Sequence, residues 1–135
     1  MTSARAASNL GGMEVLPVDP GMLAFYKELS ARTPPGSEHW PLPKQRAEWD
    51  ALCRGVGARR PAGRIVEDVD AGGVPARVFR PPGILPKPGV IYGHGGGWVL
   101  GSCETHDDMC AEMADLADVV VVLVDYRLAP ENPFP

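Results

Sequence analysis

The chain has 135 residues, 44% of them hydrophobic and 22% charged, with a formal net charge of -4 at pH 7. This is the size and composition of one ordinary globular domain, which argues against disorder and against a membrane class. The acidic balance, with no stripe of lysine and arginine to neutralise phosphates, argues against a nucleic-acid partner.

The opening stretch MTSARAASNLGGMEVLP lacks the apolar centre of a signal peptide, and no run approaches the length needed to span a bilayer. Residues 1–12 read as a loose tail. In VDPGMLAFYKELSART, Asp19 can cap a helix and Pro20 suits its first position. Leu23, Tyr26 and Leu29 then recur at helical spacing, until Pro34-Pro35-Gly36 stops the element. PKQRAEWDALCRG predicts a second helix, with Ala47, Ala51, Leu52 and Trp49 as its apolar side and Gly55 and Gly57 as its stop. The locally basic RGVGARRPAGR that overlaps its end reads as a solvated linker.

From residue 64 the period changes from helical to alternating. Ile65 and Val69, a Gly72-Gly73 turn, and then Val74, Ala76 and Val78 predict a β-hairpin. PGVIYGH predicts a third, short strand. THDDMCAEMADLAD predicts a helix over 105–118, with Met109, Met113 and Leu116 on one face and Thr105 and Asp108 as a capping box. Residues 119–124, VVVVLV, are apolar without alternation and predict a strand covered on both faces. Strand, helix and strand make a β-α-β unit, hence parallel strands and a right-handed crossover. The fold class is therefore α/β, with N-terminal helices, a hairpin and a β-α-β unit of a mostly parallel sheet.

Cys53, Cys103 and Cys110 are odd in number and form no C-x-x-C pair, so they read as small core residues of a protein in a reducing, cytoplasmic compartment. His39, in GSEHWP, reads as a surface residue.

The segment VIYGHGGGWVLGS poses the functional question, because its glycines sit at the carboxyl end of a strand, where open α/β sheets place their ligands. Bare backbone there suits three chemistries. Amide N–H groups can stabilise charge developing on an oxygen, or cradle a phosphate. Alternatively, His94, His106, Asp107 and Asp108 can collect a metal. The phosphate spacing is poor. From Gly93 or Gly95, the sixth position of G-x-G-x-x-G is Trp98 or Leu100, and Ser102 stands where a Walker loop has lysine. The metal reading rests on sequence proximity alone, since acidic residues also favour a helix N-terminus.

HGGGW at 94–98 and DYRLAPE at 125–131, one helix apart, resemble the hormone-sensitive-lipase branch of the α/β-hydrolase esterases. The likeness extends through VLGSCETHD and NPFP, and covers about residues 20–135. It implies a partial α/β-hydrolase fold with a helical cap segment over 13–57 and the start of the hydrolase core over 58–135. It also implies hydrolysis of a small-molecule carboxylic ester by acyl transfer to serine, with no metal and no organic cofactor. By position, Gly96 and Gly97 are then the oxyanion donors, Gly95 allows the tight approach and His94 braces the loop. Trp98 either lines the acyl or alcohol pocket or simply packs. Asp125, Tyr126, Arg127 and Glu131 are read as ties between the fourth strand and the glycine loop. Met22, Leu23 and Tyr26 either touch substrate from the cap or cover the core.

The family nucleophile is a serine in Gly-x-Ser-x-Gly, followed by an acid and a histidine. Ser3, Ser8, Ser30, Ser37 and Ser102 all lie outside such an elbow. The expectation is an amino-terminal part of a larger enzyme, nearly inert alone, with an open apolar edge at Val90 to Gly93 that favours self-association. An inactive remnant and a phosphate or nucleotide binder are the alternatives.

Overall fold

A computed structural model describes residues 18–57 and 64–135. The expected tail over 1–12 and most of the basic linker lie outside the described residues. The chain divides into two compact units, Met1–Pro34 and Pro35–Pro135.

In the first unit, α1 spans Pro20–Arg32. Asp19 caps it as its sequence predicts, the carboxylate accepting from the Gly21 and Met22 amides at 2.8 and 3.2 Å. Met22, Leu23, Phe25 and Tyr26 remain exposed along it.

The second unit opens on a short 3-10 turn, Ser37–His39, and continues with α2 (Leu42–Val56), β1 (Ile65–Asp70), β2 (Pro75–Arg80), β3 (Gly89–Gly93), α3 (Asp107–Leu116) and β4 (Val120–Val124). The sheet order is β1-β2-β4-β3. The β1/β2 and β2/β4 pairs are antiparallel, and the parallel pair is β3/β4, Gly89 opposite Val120 and Gly93 opposite Val124. The hairpin turn falls at Gly72 and Gly73, both at positive φ, where Asp70 accepts the Gly73 amide.

Phe79, Val121 and Leu123 point to one side of the sheet, where they are fully buried against Cys110, Ala111 and Ala114 of α3. The buried stripe of α3 therefore differs from the expected Met109, Met113 and Leu116. Met113 is only partly buried, and Met109 and Leu116 are 38% and 81% exposed. Small side chains let the helix approach the sheet closely, and the bulky Phe79 ring fills the space beneath. The strand expected to be covered on both faces is fully buried on this one, whereas Val120, Val122 and Val124 are half-buried.

Two further expectations change in detail. The capping box is formed three residues earlier than Thr105 and Asp108, by Ser102 and Thr105, and it caps a short 3-10 turn over Cys103–Thr105 that precedes α3. Threonine at 105 thus closes the box where its sequence suggested that it opens one. On α2 the less exposed residues are Leu42, Gln45, Arg46, Trp49, Asp50, Leu52 and Cys53, with Ala47 and Ala51 exposed. The reason is polar: Arg46 and Asp50 hold hydrogen bonds to loops of the same unit.

Phe79 has no exposure and anchors both β2 and α3. Phe79→Ala is expected to lower unfolding stability by about 3–5 kcal/mol, read as a fall in the urea midpoint at unchanged slope. A change below about 1 kcal/mol, the range of a tolerant surface site, would contradict this packing.

Candidate active site

β3 ends at Gly93, and its backbone turns through Gly95, Gly96 and Gly97 before re-entering the fold at Gly101. The turn depends on missing side chains. Gly96 has φ +134, and a Cβ there would stand 2.0 Å from Leu100 O. At Gly101, φ +93, it would meet Gly95 O at 2.4 Å and His94 Nδ1 at 2.5 Å. Gly97 differs, with φ +62 and no heavy atom within 4 Å of an added Cβ. Its constraint is backbone conformation and not space. The turn closes on itself through the Gly96 carbonyl, which accepts from the Val99 and Leu100 amides at 3.2 and 2.9 Å.

Neighbouring elements clamp this loop. His94 has a fully buried side chain whose Nδ1–H donates to Gly95 O at 3.0 Å. Its ring stacks on Tyr126 with centroids 4.3 Å apart, and the Tyr126 hydroxyl donates to His94 O at 2.7 Å. Burial raises the Tyr126 phenol above its ordinary pKa, keeping that donor protonated. Asp125 accepts from the Cys103 amide at 3.3 Å and lies 3.9 Å from His94 Nε2. The Ala129 amide donates to Trp98 O at 2.8 Å.

From α2, Arg46 donates through Nε to Val99 O and through Nη2 to Ala129 O, both at 2.9 Å. Its guanidinium also meets both carboxylate oxygens of Glu131, and that hydrogen bonding holds the Glu131 carboxyl below the usual carboxylate range. Of the four residues read as ties, Asp125 and Tyr126 reach His94 of the loop, Glu131 reaches the loop only through Arg46 of α2, and Arg127 is exposed and lines a cavity. Arg46 has no counterpart in the sequence reading. Its signal was an arginine standing at helical spacing with Leu42 and Trp49.

A cavity of about 350 Å³ is lined by residues 93–98 and Tyr126. A larger, mainly apolar cavity of about 800 Å³ shares Trp98 and Tyr126 with it and extends to Val74 and Pro75 of the hairpin. Trp98 is 74% exposed at φ +60, so its ring forms cavity wall and is not core packing. Among the described residues, the Gly96 and Gly97 amides have no hydrogen-bond acceptor. Backbone N–H groups left unused at a cavity wall can donate to an oxygen of a bound molecule.

The other sequence candidates fall elsewhere. His39 is exposed beside Glu38. Asp107 and Asp108 occupy the first turn of α3, with Asp107 bound to Arg77 at 2.8 Å. No group of three or more His, Cys, Asp or Glu side chains among the described residues is arranged to hold a metal ion. Burial, with Asp125 second, pushes the Cys103 thiol up to about 11, and burial, with Cys103 second, pushes Cys110 up to about 12. Neither forms an appreciable thiolate at neutral pH.

Comparison with known proteins agrees with this geometry. A family profile described as the alpha/beta hydrolase fold matches residues 90–135. The chain is similar to the carboxylic ester hydrolase LipN of Mycobacterium tuberculosis, 41% identical over 97 residues that make up 67% of this chain and 25% of that protein. It is similar also to the carboxylesterase NlhH of the same species, 51% identical over 63 residues, 46% of this chain and 20% of the relative. Among solved structures, the hyperthermophilic esterase of the archaeon Pyrobaculum calidifontis superposes with a TM-score of 0.75 at 38% identity, covering 89% of this chain and 40% of that one. An esterase from the bacterial hormone-sensitive lipase family does so with a TM-score of 0.75 at 30% identity, covering 89% and 39%. The chain thus spans 19% to 25% of the length of the first curated relatives it matches. A matching profile over β3 to the loop after β4, relatives that are ester hydrolases, and a shared backbone across nearly nine tenths of its length make this chain a member of the hormone-sensitive-lipase-like branch of the α/β-hydrolase family.

Proposed function

We propose that this segment supplies the oxyanion loop of a serine carboxylesterase, with Gly96 and Gly97 as the amide donors, Gly95 and His94 as loop support and Trp98 as substrate-pocket wall. The observation that carries the reading is that Gly96 and Gly97, whose amides have no acceptor among the described residues, both line an open cavity at the end of β3. The relatives, a carboxylic ester hydrolase and a carboxylesterase, supply the reaction, hydrolysis of a small-molecule carboxylic ester. In the acyl-transfer step an attacking serine oxygen adds to the ester carbonyl, and the charge that moves onto the carbonyl oxygen is met by the two amides. None of the serines in residues 1–135 stands in a Gly-x-Ser-x-Gly elbow, so the nucleophile, acid and base belong to other residues of the whole enzyme. Residues 13–57 take the role of a cap segment in this reading, and Met22, Leu23 and Tyr26 on α1 are exposed. Three free cysteines support a reducing, cytoplasmic location. No described helix is long and apolar enough to cross a membrane. The phosphate-binding alternative finds less support, because no lysine or arginine among the described residues lines the cavity at the glycine loop.

In a full-length hydrolase carrying this segment, Gly97→Val is expected to lower kcat for p-nitrophenyl esters by about 10² with little change in KM, because a β-branched residue resists φ +62 and displaces a donor. Unchanged turnover removes the oxyanion assignment.

We also propose that residues 1–135 self-associate through β3. This strand ends the sheet with no partner on its outer side among the described residues, and Ile91 is 80% exposed. The opposite edge, β1, carries Glu67, Asp68 and Asp70, which oppose such pairing. Sedimentation of the 135-residue chain is expected to show oligomers that Ile91→Lys shifts toward monomer, and a wild-type chain that is already monomeric overturns the proposal.

A further inference from the structure

The glycine loop has one amide, that of Gly95, whose acceptor is a side chain: Gly95 N–H donates to His106 Nε2 at 3.3 Å, reaching across from the end of β3 to the residue before α3. The opposite ring nitrogen, His106 Nδ1, lies 2.8 Å from Thr105 Oγ1. A hydroxyl has one proton and two lone pairs. Thr105 gives that proton to Ser102 O at 2.8 Å, since a carbonyl can only accept, and takes the Ser102 amide hydrogen at 3.1 Å. The remaining lone pair faces Nδ1 and requires a hydrogen there. A neutral imidazole has one N–H, so with Nδ1 protonated Nε2 is bare. Both contacts thus select the same tautomer, Nδ1–H, with the Nε2 lone pair turned to the glycine loop.

We propose that His106 is a positioning residue for the oxyanion loop, holding it only while neutral, so that protonation at Nε2 sets N–H against N–H and releases Gly95. The effect on turnover rests on the esterase reading above, whereas the coupling between His106 and Gly95 does not. The relay continues outward: the Ser102 hydroxyl donates to Asp50 of α2 at 3.0 Å. Loop, capping box and helix therefore share one hydrogen-bond chain.

The groups around the ring oppose each other. His94 on the loop lies 5.8 Å away between ring centroids and Tyr92 of β3 lies 6.0 Å away, while Asp107 and Asp108 are the acids in the first turn of α3, which His106 precedes. Tyr126 and Asp125, after β4, lie against His94. Burial first and His94 second lower the His106 pKa below its ordinary 6.5, and Asp108 opposes them. A depressed folded value means that the unfolded chain takes up the proton first as pH falls. The stability contributed by neutral His106 is complete above about pH 6.5 and is lost as pH drops toward the folded value.

Nitrogen NMR of the imidazoles and the Gly95 amide tests this without any substrate. At pH 8, His106 is expected to carry its hydrogen on Nδ1. On acidification the Gly95 amide resonance should shift with a single inflection that coincides with His106 titration and not with that of His94. In His106→Gln the side-chain carbonyl can take the same hydrogen at every pH, so Gly95 keeps its protection and the inflection disappears. In His106→Ala, Gly95 amide exchange should accelerate about tenfold, the loss of one ordinary hydrogen bond. A hydrogen on Nε2 at pH 8, a Gly95 signal indifferent to His106 protonation, or an inflection that survives in His106→Gln overturns the proposal. None of these measurements reads turnover, so absence of ester hydrolysis in the whole enzyme would count against the esterase reading and leave this coupling standing.

Discussion

A loop whose Gly96 and Gly97 amides have no acceptor among the described residues must be held in place by other groups. That constraint organises the structure around residues 94–101. Glycines supply the required φ values but bring no side chains with which to anchor, so the restraints come from neighbouring elements, from the His94 ring and from the amides other than those of Gly96 and Gly97. The Gly96 carbonyl closes the turn. Tyr126 holds His94 O, Arg46 holds Val99 O, and the Ala129 amide holds Trp98 O. These grips fall on both sides of the two unused amides and leave them untouched.

The sheet decides which elements are available for the task. Because β3 and β4 are parallel and adjacent, the loops leaving their carboxyl ends emerge side by side, and Tyr126 can stack on His94 although 32 residues separate them. The crossover helix must then lie close to the strands. Ala111, Ala114 and Cys110 permit that approach and bring Thr105 and His106 up to the far side of the loop. Core packing under Phe79 and loop geometry are therefore one problem, because a helix standing further off would carry His106 away from Gly95.

What the sequence discloses follows the physics of each element. The hairpin is legible because alternation and a Gly-Gly turn are both local, and Asp19 with Pro20 announces α1 for the same reason. HGGGW beside DYRLAPE points to the family, and the comparisons bear that likeness out. The packed faces of α2 and α3 are not, because a hydropathy pattern assigns large apolar residues to the core. In α3 the sheet instead selects small ones, leaving Leu116 exposed. In α2 the inward positions include Arg46 and Asp50, whose partners lie 53 and 52 residues away and are invisible to any periodicity. The histidine relay is equally non-local, since its direction depends on which way a threonine hydroxyl points.

Arg46 shows how such a residue acts. Its ion pair with Glu131 is too exposed at the glutamate end to contribute much by itself, because solvent screens it. The same guanidinium, however, fills two carbonyl positions that α2 could not otherwise reach, Val99 O after the glycine turn and Ala129 O after β4. A planar fork held on one side by a carboxylate has little freedom left to lose when it binds two carbonyls on the other. The role of Glu131 is thus orientation. It aims a rigid donor set at the two loops that frame the cavity, and the side chain that a hydropathy plot would place in solvent becomes the strut between them.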